Sequence, residues 1–157
     1  MSRIEPNFSK RTLPDWPKQK LRGNRLQGYR YTSRDFFQAE FEEMWTKVWL
    51  LLGRESEILH PGDWQKEEVG PESILMVRQK DNSIKAFYNV CQHRGNRLVA
   101  EDKGSTRRFV CRYHAWAFDV GGDLLYAQDA ENFAEGNPCG KINLKEIRCE
   151  TFAGFIW

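Results

Sequence analysis

Between Thr32 and Trp49 the apolar side chains recur at helical spacing. Phe37, Phe41, Met44, Trp45 and Val48 make one face, while Glu40, Glu42, Glu43 and Lys47 fall largely elsewhere. This period predicts a helix over 32–49, and Thr32 with Asp35 fits a Thr-x-x-acid capping box at its start. A Met and aromatic stripe of this kind is packing surface and is assigned no cofactor role. From Trp49 onward the period shortens to that of strands. Pro61-Gly62-Asp63 is a turn. Residues 73–78 and 84–90 flank an Asp81-Asn82 turn and predict a hairpin running straight into Cys91. Residues 107–111 read as a strand. Residues 117–120 and 124–126 flank the Gly121-Gly122-Asp123 turn, and 151–157 reads as a last strand. Short strands with regular turns predict a mainly β, antiparallel domain of small sheets, preceded by one helix.

Composition narrows the class. A chain of 157 residues with 40% hydrophobic content, six Trp and ten Phe can build one domain with a proper core. No run approaches the ~20 apolar residues of a membrane span, and no signal-peptide pattern opens the chain. Four Cys in such a chain read as metal ligands before disulfides, and a reducing cytoplasm is the expected setting. Charge is unevenly spread. Residues 1–34 carry nine Lys or Arg against Glu5 and Asp15, a net +7 in a chain whose total is +2. The organisation expected is a basic arm over 1–31 and a folded domain over 32–157. The arm, with Pro6, Pro14 and Pro17, reads as an irregular strap on a neighbouring domain or subunit. Docking of an acidic electron donor is the alternative.

The chemistry concentrates in two short stretches. Cys91-Gln92-His93-Arg94-Gly95 is answered by Cys111-Arg112-Tyr113-His114-Ala115-Trp116, with seventeen residues between His93 and Cys111. Each stretch supplies one thiolate and one imidazole. Iron–sulfur clusters are normally held by four thiolates, and replacing two of them by His on one iron defines the Rieske type of two-iron, two-sulfide centre. The pattern fits that set, with Cys91 and Cys111 on one iron and His93 and His114 on the other. Two ferric ions, two sulfides, two thiolates and two neutral imidazoles carry no net charge. An all-thiolate cluster is more negative and resists an added electron. The imidazoles therefore raise the potential to roughly −150 to +300 mV, against about −400 mV for plant-type ferredoxins. A structural zinc module is the competing reading, although its usual spacing keeps like ligands adjacent.

These two stretches resemble the Rieske domain of the large subunits of ring-hydroxylating oxygenases, and the resemblance extends over roughly residues 30–157. It implies a Rieske [2Fe-2S] cluster on Cys91, His93, Cys111 and His114, with Arg94, Gly95, Tyr113 and Trp116 around it. Tyr113 would lend a hydroxyl hydrogen bond and Trp116 would pack beneath. Respiratory relatives carry an extra Cys in each loop, forming a disulfide. The matching positions here are Asn96 and Tyr113, so no such bridge forms. Two positions depart from the family pattern: Arg112, often Pro, and Ala115, often Gly. Ala makes a positive φ at 115 less expected than Gly does. Gly95 and Gly104 are expected to allow tight turns near the ligands.

The resemblance also implies a wider system. Electrons come from NAD(P)H through a flavin reductase, a ferredoxin or both. They pass to a mononuclear Fe(II) site of two His and one carboxylate, in a homo-oligomer or an alpha–beta oligomer. No nucleic acid and no membrane is expected as a partner. With three His in all, only His60 remains beyond the cluster pattern, so this chain cannot build the oxygen-activating site. The chain therefore reads as the Rieske part of a larger aromatic-ring oxygenase subunit. A stand-alone Rieske ferredoxin is the alternative, against which the arm and helix before the motif argue.

Overall fold

The structure, a computed structural model, describes residues 25–157. The chain divides into two compact units, Met1–Val48 and Trp49–Trp157. Most of the basic arm predicted over 1–31 lies outside the described residues.

In the first unit a helical turn, α1 (Tyr29–Thr32), precedes α2 (Arg34–Glu43). The cap expected at Thr32 sits one residue later. Ser33 is extended, and its Oγ accepts the Phe36 N–H at 3.2 Å, satisfying one of the free donors of the first turn. Thr32 instead turns its hydroxyl back to the Gly28 carbonyl at 3.3 Å and closes α1. The helix also stops at Glu43 rather than Trp49. Its end carries Glu40, Glu42 and Glu43 and no base, and acidic groups at a carboxyl end oppose the helix dipole. Met44 then leaves helical geometry at φ −126°, and Trp45–Lys47 forms a 3₁₀ turn. Phe37 and Phe41 of the expected apolar face still meet, with ring centroids 6.4 Å apart.

The second unit is mainly β, as the pattern predicts. In chain order its strands are β1 (Gly53–Arg54), β2 (Asp63–Val69), β3 (Glu72–Arg78), β4 (Ile84–Tyr88), β5 (Lys103–Ser105) and β6 (Arg108–Val110). β7 (Ala117–Asp119), β8 (Leu124–Tyr126), β9 (Glu146–Ile147), β10 (Thr151–Phe152) and β11 (Phe155–Ile156) follow. They pair antiparallel in three sheets, ordered β1-β11-β10, β5-β2-β3-β4-β9 and β6-β7-β8.

β3 organises the larger sheet. Successive side chains of a strand point to opposite faces, and here both faces are covered. Ile74 and Met76 enter one core with Ile58, Ile84, Ala86 and Ile156. Leu75 and Val77 enter the other with Phe87, Phe109, Trp116 and Phe118. A strand covered on both sides reads as an unbroken apolar run, which is why it is legible. Burying Phe87 or Phe118 contributes about 1.5–3 kcal/mol each. The second of these cores also contains Cys91 and Cys111.

Three features differ from expectation. β2 escapes the pattern because Gln65-Lys66-Glu67-Glu68 shows no apolar alternation; the strand is held by pairing with β3 from Trp64–Val77 to Val69–Glu72. Residues 151–157 form the β10–β11 hairpin rather than one strand. Ala153 and Gly154 take φ of 54° and 81°, the left-handed pair that a two-residue hairpin turn favours. Gly104 lies not in a turn but in β5 opposite Trp64, where a Cβ would come within 2.8 Å of the indole.

Candidate metal centre

The hairpin β3–β4 delivers the chain to Cys91, and β6 delivers it to Cys111. From there the two loops fold alike. The Cys91 N–H donates to the Asn96 carbonyl at 2.8 Å, and the Cys111 N–H to the Trp116 carbonyl at 2.8 Å. The Gly95 N–H donates to the Cys91 carbonyl at 3.0 Å, and the Ala115 N–H to the Cys111 carbonyl at 3.0 Å. Each loop turns at its fifth residue through positive φ, 72° at Gly95 and 54° at Ala115. The expectation against positive φ at Ala115 is therefore overturned: the shared hydrogen-bond pattern imposes the turn. A side chain held there costs roughly 1–2 kcal/mol.

This turn aims successive N–H groups at each sulfur. The Cys91 sulfur receives the N–H groups of His93 and Arg94, and the Cys111 sulfur those of Tyr113 and His114. Both thiols are buried, at 2% and 3% exposure. Their ionisation differs. Burial pushes the Cys91 thiol up. Burial also acts on Cys111, but the N–H groups of Tyr113 and His114, with Cys91 and Asn96, carry it below the ordinary range. Asn96, at the position of the absent bridging Cys, points its amide at the Cys111 sulfur at 3.8 Å. All four cysteines are free.

The imidazoles stand together on the outer side. The His93 and His114 rings have centroids 4.7 Å apart at 71°. His93 lies flat on the buried indole of Trp116, with centroids 4.7 Å apart at 8°. Tyr113 covers His114 with centroids 3.8 Å apart. Tyr113 is 60% exposed. Burial, followed by the nearby His114 and Arg94, holds the His93 pKa below its ordinary value of 6.5. A cleft of about 360 Å³ opens on the imidazoles, lined among others by Arg94, Asp129, Asn132 and Phe133.

The remaining candidates lie apart. His60 sits in the turn before β2, its N–H bonded to the Asp63 carboxylate at 2.8 Å. Cys149 packs against the other core, where burial pushes its thiol up to about 11. Cys139 packs at the margin of the core that holds Cys91. Residues the sequence reading passed over also reach the site. Phe133 stands 5.7 Å from Trp116 and 6.3 Å from His93, edge-on to both. Nothing in the local sequence marks it. Asn89 does carry a signal, a polar residue inside the apolar run before Cys91.

The donor set fits a two-metal cluster better than one tetrahedral ion. Two thiols already solvated by N–H groups suit a sulfur-rich cluster. The four candidates stand as a thiol pair buried in the core and an imidazole pair facing the cleft. No helix of the described residues is long and apolar enough to cross a membrane.

Comparison with known proteins agrees. The chain is 42% identical over 128 residues to benzene 1,2-dioxygenase subunit alpha of Pseudomonas putida, covering 81% of this chain and 28% of that protein. It is 37% identical over 127 residues to the carnitine monooxygenase oxygenase subunit of Escherichia coli, covering 81% and 34%. Among solved structures it resembles naphthalene 1,2-dioxygenase with indole bound, with a TM-score of 0.70 and 39% identity over 76% of this chain and 27% of that one. An apo quaternary ammonium Rieske monooxygenase gives a TM-score of 0.75 and 32% identity over 82% and 37%. The chain thus spans about a third or less of the length of these relatives, which are subunits or components of oxygenases. Residues 48–150 match the family model of the Rieske [2Fe-2S] domain, and with the paired loops and these relatives the chain belongs to that family.

Proposed function

We propose that this chain is the electron-relaying domain of an aromatic-ring-hydroxylating oxygenase large subunit. Cys91 and Cys111 hold one iron of the cluster, and His93 and His114 hold the other. The bound [2Fe-2S] cluster takes up and releases electrons one at a time. The observation that carries the reading is the division of the site: thiols buried in the core, imidazoles facing the cleft. His93 and His114 then form the edge through which electrons enter and leave, while Trp116 and Phe133 keep water from their inner side. The N–H groups aimed at the sulfurs favour the thiolate forms that binding requires.

The benzene and naphthalene relatives support an aromatic substrate for the whole enzyme. In this reading a ferredoxin or flavin reductase brings electrons from NAD(P)H. The acceptor is a mononuclear Fe(II) site that His60 alone cannot supply. The enzyme works in the cytoplasm as a homo-oligomer or an alpha–beta oligomer. Anaerobic reconstitution tests the reading. Two iron and two sulfide per chain are expected, with the low-average-g electron resonance of His-ligated iron on reduction. Stoichiometric zinc without sulfide would overturn it. The chain alone, given reductase, NADH, oxygen and ferrous iron, is expected to hydroxylate nothing.

A further inference from the structure

The chain around Cys91 is held by more than its own turn. Asn89, two residues before Cys91, is 0% exposed, and its amide is used at both ends. Its Oδ1 accepts the N–H of Leu98 at 3.1 Å and that of Val99 at 3.0 Å. Its Nδ2 donates to the Val99 carbonyl at 2.9 Å and to the Ser73 Oγ at 3.2 Å. One side chain therefore pins the loop where it enters and where it leaves.

The Ser73 hydroxyl donates in turn to Glu68 Oε1 at 3.0 Å, across the β2–β3 pair. Glu68 takes both terminal nitrogens of Arg97, at 3.0 and 3.2 Å. Arg97 adjoins Leu98, so the chain of bonds returns to the loop from which it started. Among the described residues the second loop has a single side-chain ion pair, Arg112 with Glu101 at 2.7 Å. A buried amide left unpaired is costly, so a fully satisfied one selects a single geometry of the segment around it.

We propose that Asn89 and Glu68 are positioning residues for the first ligand loop, acting through the closed circuit Asn89–Ser73–Glu68–Arg97 to fix where Cys91 and His93 stand. The inference rests on Cys91 and His93 being ligands. The circuit keeps the N–H groups of His93 and Arg94 on the Cys91 sulfur, and hydrogen bonds to cluster sulfurs help set the reduction potential.

Amide hydrogen exchange of the cluster-free chain reads the circuit without any metal. Glu68→Ala is expected to speed exchange over residues 92–99 roughly tenfold and to leave 112–116 at the native rate. The double variant Glu68→Ala with Arg97→Ala removes the ion pair at constant net charge. It is expected to give the same exchange pattern and, after reconstitution, a shifted potential and altered g-values. Glu146→Ala removes the exposed pair with Lys85 on the β9 edge and is the control; it should change neither. Asn89→Ala is expected to speed exchange over 92–99 further, and if it does not fold the Glu68 variants decide. Native exchange over 92–99 in both Glu68 variants, equal acceleration of both loops, or an unmoved potential in the double variant overturns the proposal. A native chain that binds no iron and sulfide defeats the ligand reading instead, and is told apart because the exchange result is obtained first.

Discussion

The loop at 91–96 and the loop at 111–116 close with the same two backbone hydrogen bonds and turn at the same fifth position. Their supports differ. The first turns on a glycine and is clamped from outside by Asn89 and Glu68. The second turns on Ala115, which keeps a left-handed conformation with its methyl group in place. The first thiol is pushed up by burial, while the second is drawn down by the donors around it. His93 rests on a buried indole, and His114 lies under an exposed phenol. One backbone geometry is thus reached by two routes, which shows that the N–H pattern on the sulfurs, not the side chains that enforce it, is what the loops share.

The largest effect expected is loss of the centre itself, and it should ignore the difference between loops. His93→Ala and His114→Ala should each abolish or convert the cluster, whereas His60→Ala should leave iron and sulfide content unchanged. Unequal results for the two ligand variants would mean that one loop alone carries the iron. Destruction of the cluster by His60→Ala would show the ligand assignment to be wrong.

Next comes the contrast beneath and above the imidazoles. Trp116 is 2% exposed and fills the core under His93, so Trp116→Ala should cost about 3–5 kcal/mol of stability in the cluster-free chain. Tyr113→Ala removes a ring that is mostly in solvent and should cost less than about 1 kcal/mol. Urea unfolding of both variants measures the gap. Equal losses would mean that Tyr113 is as structural as Trp116.

These asymmetries mark what a sequence discloses. The Cys-x-His and Cys-x-x-His pairs are legible because the cluster chemistry of the family they resemble fixes residue types at short range. The β3 run is legible because burial on both faces removes every polar residue from Ile74 to Val77. β2 is hidden because its charged side chains are tolerated by pairing with β3 and by ion pairs such as Lys66–Asp102 at 3.3 Å. The positive φ of Ala115 is hidden because the loop's hydrogen bonds override the preference of the residue. Phe133 reaches Trp116 only through the path of the 127–133 segment, which no local period encodes.

A smaller effect follows from the lowered pKa of His93. Its causes are burial first, then the charges of His114 and Arg94. The unfolded chain takes up a proton near the ordinary 6.5, before the folded chain does. The His93 contribution to the stability of the cluster-free chain should therefore be level above that pH and fall as the solution is acidified from 6.5 toward the folded value. His93→Gln should remove this component of the slope. An identical slope in that variant would assign the acid sensitivity to other groups.

The smallest effect tests the two turns directly. Nothing lies within 4 Å of a Cβ built on Gly95, so Gly95→Ala meets no clash and its cost is conformational alone. Holding Ala left-handed costs roughly 1–2 kcal/mol. Against that, Ala restricts the unfolded chain and recovers part of the loss, since Gly gives up more freedom on folding by roughly 0.5–1 kcal/mol. Gly95→Ala should thus destabilise by about 0.5–1 kcal/mol. Ala115→Gly runs the same exchange in reverse and should stabilise by a similar amount, with iron and sulfide content unchanged. Chemical denaturation of the two cluster-free variants gives both numbers. Equal and opposite shifts would make the loops equivalent in backbone energetics, leaving the Asn89 and Glu68 clamp as the source of their difference. A destabilised Ala115→Gly would instead show that the methyl group contributes packing that outweighs the strain of its φ of 54°.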